Sequence, residues 1–351
     1  MTGAWHVRAT LLPDGDTKAD RWLVDGRLVD APVDGAEELP GRWALPGLVD
    51  AHCHLSMARD EAGPRLASAR ETAQARERVA RQGVGIVRDL GGDRDVMLAM
   101  RPEPGRPDVL AVGRHLAPKG YYFDTVLREP AEPEWLVEEA LREVRDGARW
   151  VKLVADFPPG LEPPARPTYD VETVRETCAA VHDAGARVAA HITLAHASDL
   201  VEAGVDSVEH GSVMDEDTLR VMAARGAAWT PTLCASMQPP APGTPPERAR
   251  AIEARQAQVR TMLPLAVDMG VPVLTGSDVV GSVPEEIAWL VRSGVEPRAA
   301  LAAATTVPRS FLGSDVAAMP ESLVTYSADP RDDPEVLVSP AAVVVRGVRV
   351  V

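Results

Sequence analysis

Residues 187–210 read RVAAHITLAHASDLVEAGVDSVEH. The run opens on a short apolar stretch, RVAAHI (187–192). It passes through SDLVEAGV (198–205), whose apolar residues fall at helical spacing, and returns to an apolar stretch, DSVEHG (206–211). Strands separated by helices point to a parallel sheet, because a parallel neighbour needs a crossover connection. Each of the two strands ends in a histidine, His191 and His210.

The alternation continues in both directions. Toward the N-terminus, WALPGLVDAH is followed by ARETAQARERVARQG, GVGIVRDLGG by RDVMLAM, and PDVLAVG by a loop; EWLVEEALREVRDGA then leads into WVKLVAD, and YDVETVRETCAAVHDAGA into RVAAHI. Toward the C-terminus, TLRVMAARGA leads into AWTPTL and ARQAQVRTMLPLAVDMGV into PVLTGSD, with PRAALAAATTVPRSFL as a closing helix. About eight strand–helix units in about 250 residues match the scale of a TIM (β/α)8 barrel, expected over residues 50–312. A doubly wound sheet would carry a glycine-rich phosphate turn after its first strand, and RDLGGD lacks that spacing. The ends read differently. HVRATLL, RWLVDGRLVD with its Asp-Gly hairpin signal, SLVTYSA and AAVVVRGVRVV are short strands. Residues 1–49 and 313–351 are therefore expected to pair as one small composite β-domain, a β-sandwich beside the barrel.

Barrel enzymes carry their chemistry where strands end, so the strand ends decide the function class. The first ends in His52-Cys53-His54, and residues two apart in a strand face the same side. Both imidazoles can meet one ion, and Cys53 should point away. The other informative ends are Lys152, His191, His210 and Asp278. Any one of these has an ordinary reading: Asp278 as a helix N-cap, Lys152 as a snorkelling side chain. Six such residues at strand ends, in chain order, predict a metal site: His52, His54, Lys152, His191, His210 and Asp278. His6, His115, His182 and His196 are read as bystanders. Imidazole with carboxylate suits zinc, manganese, iron, cobalt or nickel and discriminates poorly among them; zinc is the expected ion. A lysine beside cations loses its proton and can take up carbon dioxide as a carbamate, an anionic bridge between two metals about 3.5–4 Å apart.

ALPGLVDAHCHL, VKL, AAHITLAHASDLVEAGVDSVEHG, TPTL, LTGSD and ALAAATTVPRSFLG together resemble the amidohydrolase superfamily, in its imidazolonepropionase-like and prolidase-like branch. The resemblance implies that His52 and His54 bind one divalent ion, that Lys152 is an N6-carboxylysine bridging two, that His191 and His210 bind the second, and that Asp278 ligates metal and shuttles a proton. A metal-bound hydroxide would then attack a dipeptide or N-acyl amino acid at its C–N bond. The chain departs from the family at RHLAPKGYYFDT, where relatives carry glycine and histidine, and at Glu321-Ser322-Leu323, where Ala-Asp-Leu is usual. Tyr121, Tyr122 and Thr230 are the candidate substrate contacts, with Arg114 and Lys119 as receivers of a substrate carboxylate. A mononuclear cyclic-amide hydrolase or deaminase is the alternative, although His191 lacks a glutamate shortly after it. A non-catalytic barrel scaffold is the remote one, since such scaffolds lose ligands.

The 351 residues carry 37 Lys+Arg against 52 Asp+Glu, a formal charge of −15. That balance argues against a nucleic-acid partner. No stretch approaches the roughly 20 apolar residues of a membrane span, and MTGAWHVRATLLPDGD lacks a signal peptide's basic and apolar regions. Three widely spaced cysteines (Cys53, Cys178, Cys234) suit reduced thiols in a cytoplasm. The expected partner is a small-molecule substrate, with a homo-oligomer compatible with the family.

Overall fold

The computed structural model describes residues 3–61, 63–127 and 129–351. Among the described residues, eight stretches of the middle region form parallel strands, in two groups. One group is ordered Asp108–Ala111, Val84–Asp89, Leu48–Cys53; the other runs His115–Leu116, Trp150–Val154, Arg187–Ile192, Ser207–His210, Ala228–Thr230. The third predicted strand serves both groups: Gly113, at φ 87°, breaks it between Ala111 and His115. Strands buried on both faces read as continuous apolar runs, and Val84–Asp89 and Trp150–Val154 are buried throughout.

PVLTGSD behaves differently from a regular eighth strand. Residues 272–278 pair with the flanking strands through isolated bridges, Trp229↔Val273 and Cys53↔Asp278, rather than a continuous ladder. Leu274 N donates to Trp229 O (2.9 Å), Ala51 N to Thr275 O (2.9 Å) and Asp278 N to His52 O (2.7 Å). Pro272 has no N–H to give, and a side chain at Gly276 would come within 2.5 Å of His52 Cβ, so the segment crosses the gap as an irregular strand. The result is a TIM-barrel-like α/β fold.

Helices alternate with the strands because their caps are written into the sequence. Ser68 and Glu71 form a capping box at Ala69–Arg81, which buries Thr72, Ala75, Arg76, Val79 and Ala80 at helical spacing. Asp170 and Asp215 cap Val171–Asp183 and Glu216–Arg225, each side chain accepting from the backbone N–H three residues on.

The terminal segments meet in one sheet. Trp5–Leu11 pairs antiparallel with Lys18–Val24, whose hairpin to Arg27–Val29 turns on Asp25 and Gly26, both at positive φ. Trp5–Leu11 also runs parallel to Glu37–Glu38 and Trp43–Pro46. Leu323–Tyr326 then joins Trp43–Pro46 to Ala342–Val345, which pairs with Val348–Arg349. Glu321-Ser322-Leu323 thus leads directly into a paired strand. Val7, Ala9, Leu23, Ala44, Leu323 and Val344 pack on one side of this sheet.

Candidate active site

Every metal-site residue expected from the sequence lines one cavity of about 210 Å³ at the carboxyl ends of the parallel strands. Donor atoms of His52, His54 and Asp278 lie within 4.8 Å of one another, the one group of that kind among the described residues. The His191 ring centroid lies 4.4 Å from that of His210, which in turn lies 5.0 Å from that of His52.

Hydrogen bonds fix the tautomers of three of these histidines. His52 Nδ1 donates to Glu209 Oε2 (2.8 Å) and His54 Nδ1 to the Gly91 carbonyl (2.8 Å). His210 Nδ1 donates to Thr232 Oγ1 (2.7 Å), because that hydroxyl spends its own proton on Pro231 O (2.8 Å). In all three, Nε2 keeps an open lone pair. Burial holds the four imidazoles below their usual pKa, that of His191 down to about 4, so they are neutral.

Two observations fit a cation. His54 Nε2 and Asp278 Oδ1, both acceptors, face each other at 3.5 Å with no proton to share. Lys152 Nζ is buried without a hydrogen-bond partner, and its pKa is lowered to about 8, chiefly by burial. Buried polar groups normally find partners, and these groups look toward the same space. The backbone carries strain here as well: His210 (φ 68°), Thr232 (φ 46°) and Asp278 (φ 53°) sit in the left-handed region that non-glycine residues avoid.

A layer of buried charge holds these donors. Arg88, wholly buried, donates from Nε to Ala51 O (2.7 Å) and from Nη2 to Ser207 Oγ (3.1 Å) and Glu209 Oε1 (2.9 Å). Asp50 accepts from Ser277 N (3.0 Å) and Ser277 Oγ (2.5 Å), tying the Asp278 loop to the first strand; burial raises its pKa to about 6. Asp89, raised to about 7 by burial, accepts from Leu55 N (2.6 Å) and Gly91 N (3.2 Å), which steadies the carbonyl that orients His54. Cys53 points away from the site, its thiol 3.9 Å from Arg88 O.

His115, read from the sequence as a bystander, lines the cavity: its ring stacks on His54 at 5.2 Å and its Nε2 lies 3.4 Å from Tyr122 OH. Its register opposite Lys152 puts it there, and the broken third strand hid that register. Tyr122 lines the cavity, whereas the half-buried Tyr121 and the fully buried Thr230, whose hydroxyl has no partner, are not among its lining residues. Arg114 is tied to Glu143 (2.8 Å) and Glu139 around a separate cavity and does not face this one. His182 pairs with Asp206, and His196 with Asp156.

Fold and site together define a class: a TIM-barrel-like α/β protein whose strand ends gather imidazoles, an amine and a carboxylate. The chain belongs to the amidohydrolase family, whose model matches residues 43–317. An uncharacterized protein of Mycobacterium tuberculosis is 33% identical over 357 residues, covering 97% of this chain and 94% of that protein. A crystal structure of a Xaa-Pro dipeptidase with methionine in its active site superposes with a TM-score of 0.81 at 20% identity, covering 99% of both chains. The structure of a putative prolidase from Bifidobacterium longum does so with a TM-score of 0.80 at 23% identity, over 99% of this chain and 94% of that one.

Proposed function

We propose that this protein hydrolyses an amide- or peptide-type C–N bond in a small substrate, of the dipeptide or N-acyl amino acid class. The observation that carries the reading is the convergence of three open imidazole lone pairs, Asp278 and an unpartnered Lys152 on one cavity. Family membership and the likeness to a Xaa-Pro dipeptidase and a prolidase support it.

In this reading His52, His54 and Asp278 hold one divalent ion and His191 and His210 a second, zinc foremost. When bound, the ions supply Lewis acidity, lowering the pKa of water and polarising the scissile carbonyl. Lys152, as N6-carboxylysine, would help to hold both ions: its neutral amine forms an N–C bond to carbon dioxide and releases one proton. A pKa near 8 gives that amine a neutral fraction a solvated lysine lacks. Asp278 takes the proton of the attacking water and delivers it to the leaving nitrogen. In the same reading the barrel closes with eight strands over 50–312, and 1–49 with 313–351 forms one composite β-domain beside it, the whole working on small molecules in the cytoplasm.

The test is metal content per chain, measured on protein made with bicarbonate and purified without chelators. About two equivalents, with hydrolysis of dipeptides or N-acyl amino acids, is the expected result. One equivalent would leave the His52–His54–Asp278 group as a mononuclear site and Lys152 a spectator. No metal after reconstitution would overturn the reading.

A further inference from the structure

Three charged side chains other than histidine line the inner cavity: Arg59, Lys152 and Asp278. Lys152 and Asp278 belong to the cluster described above, so Arg59 is the charge left for a substrate. It stands on the hairpin Met57–Asp60/Gly63–Leu66, which reaches over the mouth of the site. The other arginine of that hairpin, Arg65, is committed, donating to Asp60 (3.1 Å) and to both oxygens of Glu71 (2.7 and 3.1 Å). Arg59 has no hydrogen-bond or ion-pair partner among the described residues, and Met57 and Ala58 beside it line the cavity too.

Arg59 also lines an outer vestibule of about 500 Å³, which shares Pro64, Tyr122 and Phe123 with the inner cavity. Between the two stands an aromatic cluster. The rings of Tyr122, Phe123 and Phe157 meet edge to face with centroids 5.0–5.4 Å apart, all three half-buried. In a chain with three phenylalanines, two stand at this opening. A planar guanidinium beside an aromatic wall suits a ligand with a carboxylate and a flat or bulky apolar group.

We propose that Arg59 anchors a substrate carboxylate and that the Tyr122–Phe123–Phe157 wall receives the adjoining side chain, so that the substrates are N-acyl amino acids or dipeptides ending in an aromatic or bulky apolar residue with a free carboxylate. This rests on the C–N hydrolase reading above and adds to it the selecting residues and the substrate class.

The test compares N-acetyl-L-phenylalanine with its carboxamide as substrates, and L-phenylalanine with L-phenylalaninamide as calorimetric ligands of the metal-loaded protein. Wild type should favour the acid of each pair. Arg59→Gln should weaken acid binding and raise its KM about tenfold to a hundredfold, the range of a charge-assisted contact, while the amides change by less than about twofold. Arg59→Lys should keep part of the preference, and Phe123→Ala should lower kcat/KM on N-acetyl-L-phenylalanine relative to N-acetylglycine. Equal losses on acid and amide, or no loss on the acid, would overturn the anchor. Hydrolysis of acid and amide alike, unchanged in Arg59→Gln, would sink the anchor and leave the hydrolase standing. Arg59-dependent binding of L-phenylalanine without hydrolysis of either substrate would do the reverse.

Discussion

His52 Nδ1 lies 2.8 Å from Glu209 Oε2, both side chains wholly buried, and this contact decides which nitrogen of His52 faces the cavity. Glu209 is held in turn by Arg88 Nη2 at 2.9 Å and Ser207 Oγ at 2.6 Å. A carboxylate behind an imidazole fixes its ring and tautomer and makes the far nitrogen a better donor to a cation.

Glu209→Gln should therefore weaken ion binding about tenfold to a hundredfold, read by competition against a chromophoric chelator. It should also destabilise the fold by about 3–5 kcal/mol, because Arg88 is left as an uncompensated buried charge. The double variant Arg88→Met/Glu209→Gln separates the effects: stability should largely return while ion affinity stays low. Recovery of both would mean that Glu209 acts on the fold alone.

Lys152 presents the opposite balance. Its buried, unpartnered amine costs the metal-free protein stability, since burial disfavours its charged form and nothing compensates. Lys152→Met, of similar length and fully apolar, should raise the melting temperature of the metal-free protein. Bound metal should drop by at least one equivalent per chain, with most of the activity. An unchanged metal count at full rate would remove Lys152 from the site.

The histidines and Asp278 were legible because each falls at or beside the end of an apolar run, a pattern that survives without tertiary information; Lys152, expected at a strand end, instead lies inside Trp150–Val154. What supports them was not. Arg88 and Glu209 lie inside the strands Val84–Asp89 and Ser207–His210, where a charge reads only as an interruption. Their meaning depends on strands 119 and 157 residues from their partners Ser207 and His52. A charged residue within a strand buried on both faces is the signal that points to such a pair. His115 escaped for a different reason: the break at Gly113 shifts the third strand's end beyond the apolar run that announces it.

His196 tests the reading of the bystanders. Its Nε2 contacts Asp156 at 2.9 Å, and Asp156 also accepts from Thr193 N (2.8 Å), Thr193 Oγ1 (2.5 Å) and Leu194 N (3.2 Å), closing the loop that follows His191. With three donors remaining, His196→Ala should lose about 1–2 kcal/mol in a denaturant titration and leave the metal count unaltered. A variant short of metal would place His196 within the site instead.

Glu286 predicts a pH dependence away from the cavity's donors. It is wholly buried and accepts from Leu233 N (2.9 Å) and Cys234 N (2.5 Å), yet burial outweighs these bonds and raises its pKa to about 7. Between about pH 4.5 and 7 the folded protein keeps a proton that the unfolded chain has released, so this contribution to stability is complete below that window and lost as pH rises through it. The full effect is on the order of 3 kcal/mol. Asp50 and Asp89, at about 6 and 7, act in the same direction, whereas the buried histidines, held below their usual pKa, act in the opposite one, so the contribution of Glu286 is read as a difference between two proteins. Glu286→Gln, which resembles the protonated acid and cannot ionise, should lack this loss, so its melting temperature should rise relative to that of wild type between pH 5 and pH 8. Parallel curves for the two proteins would show that Glu286 is ionised throughout.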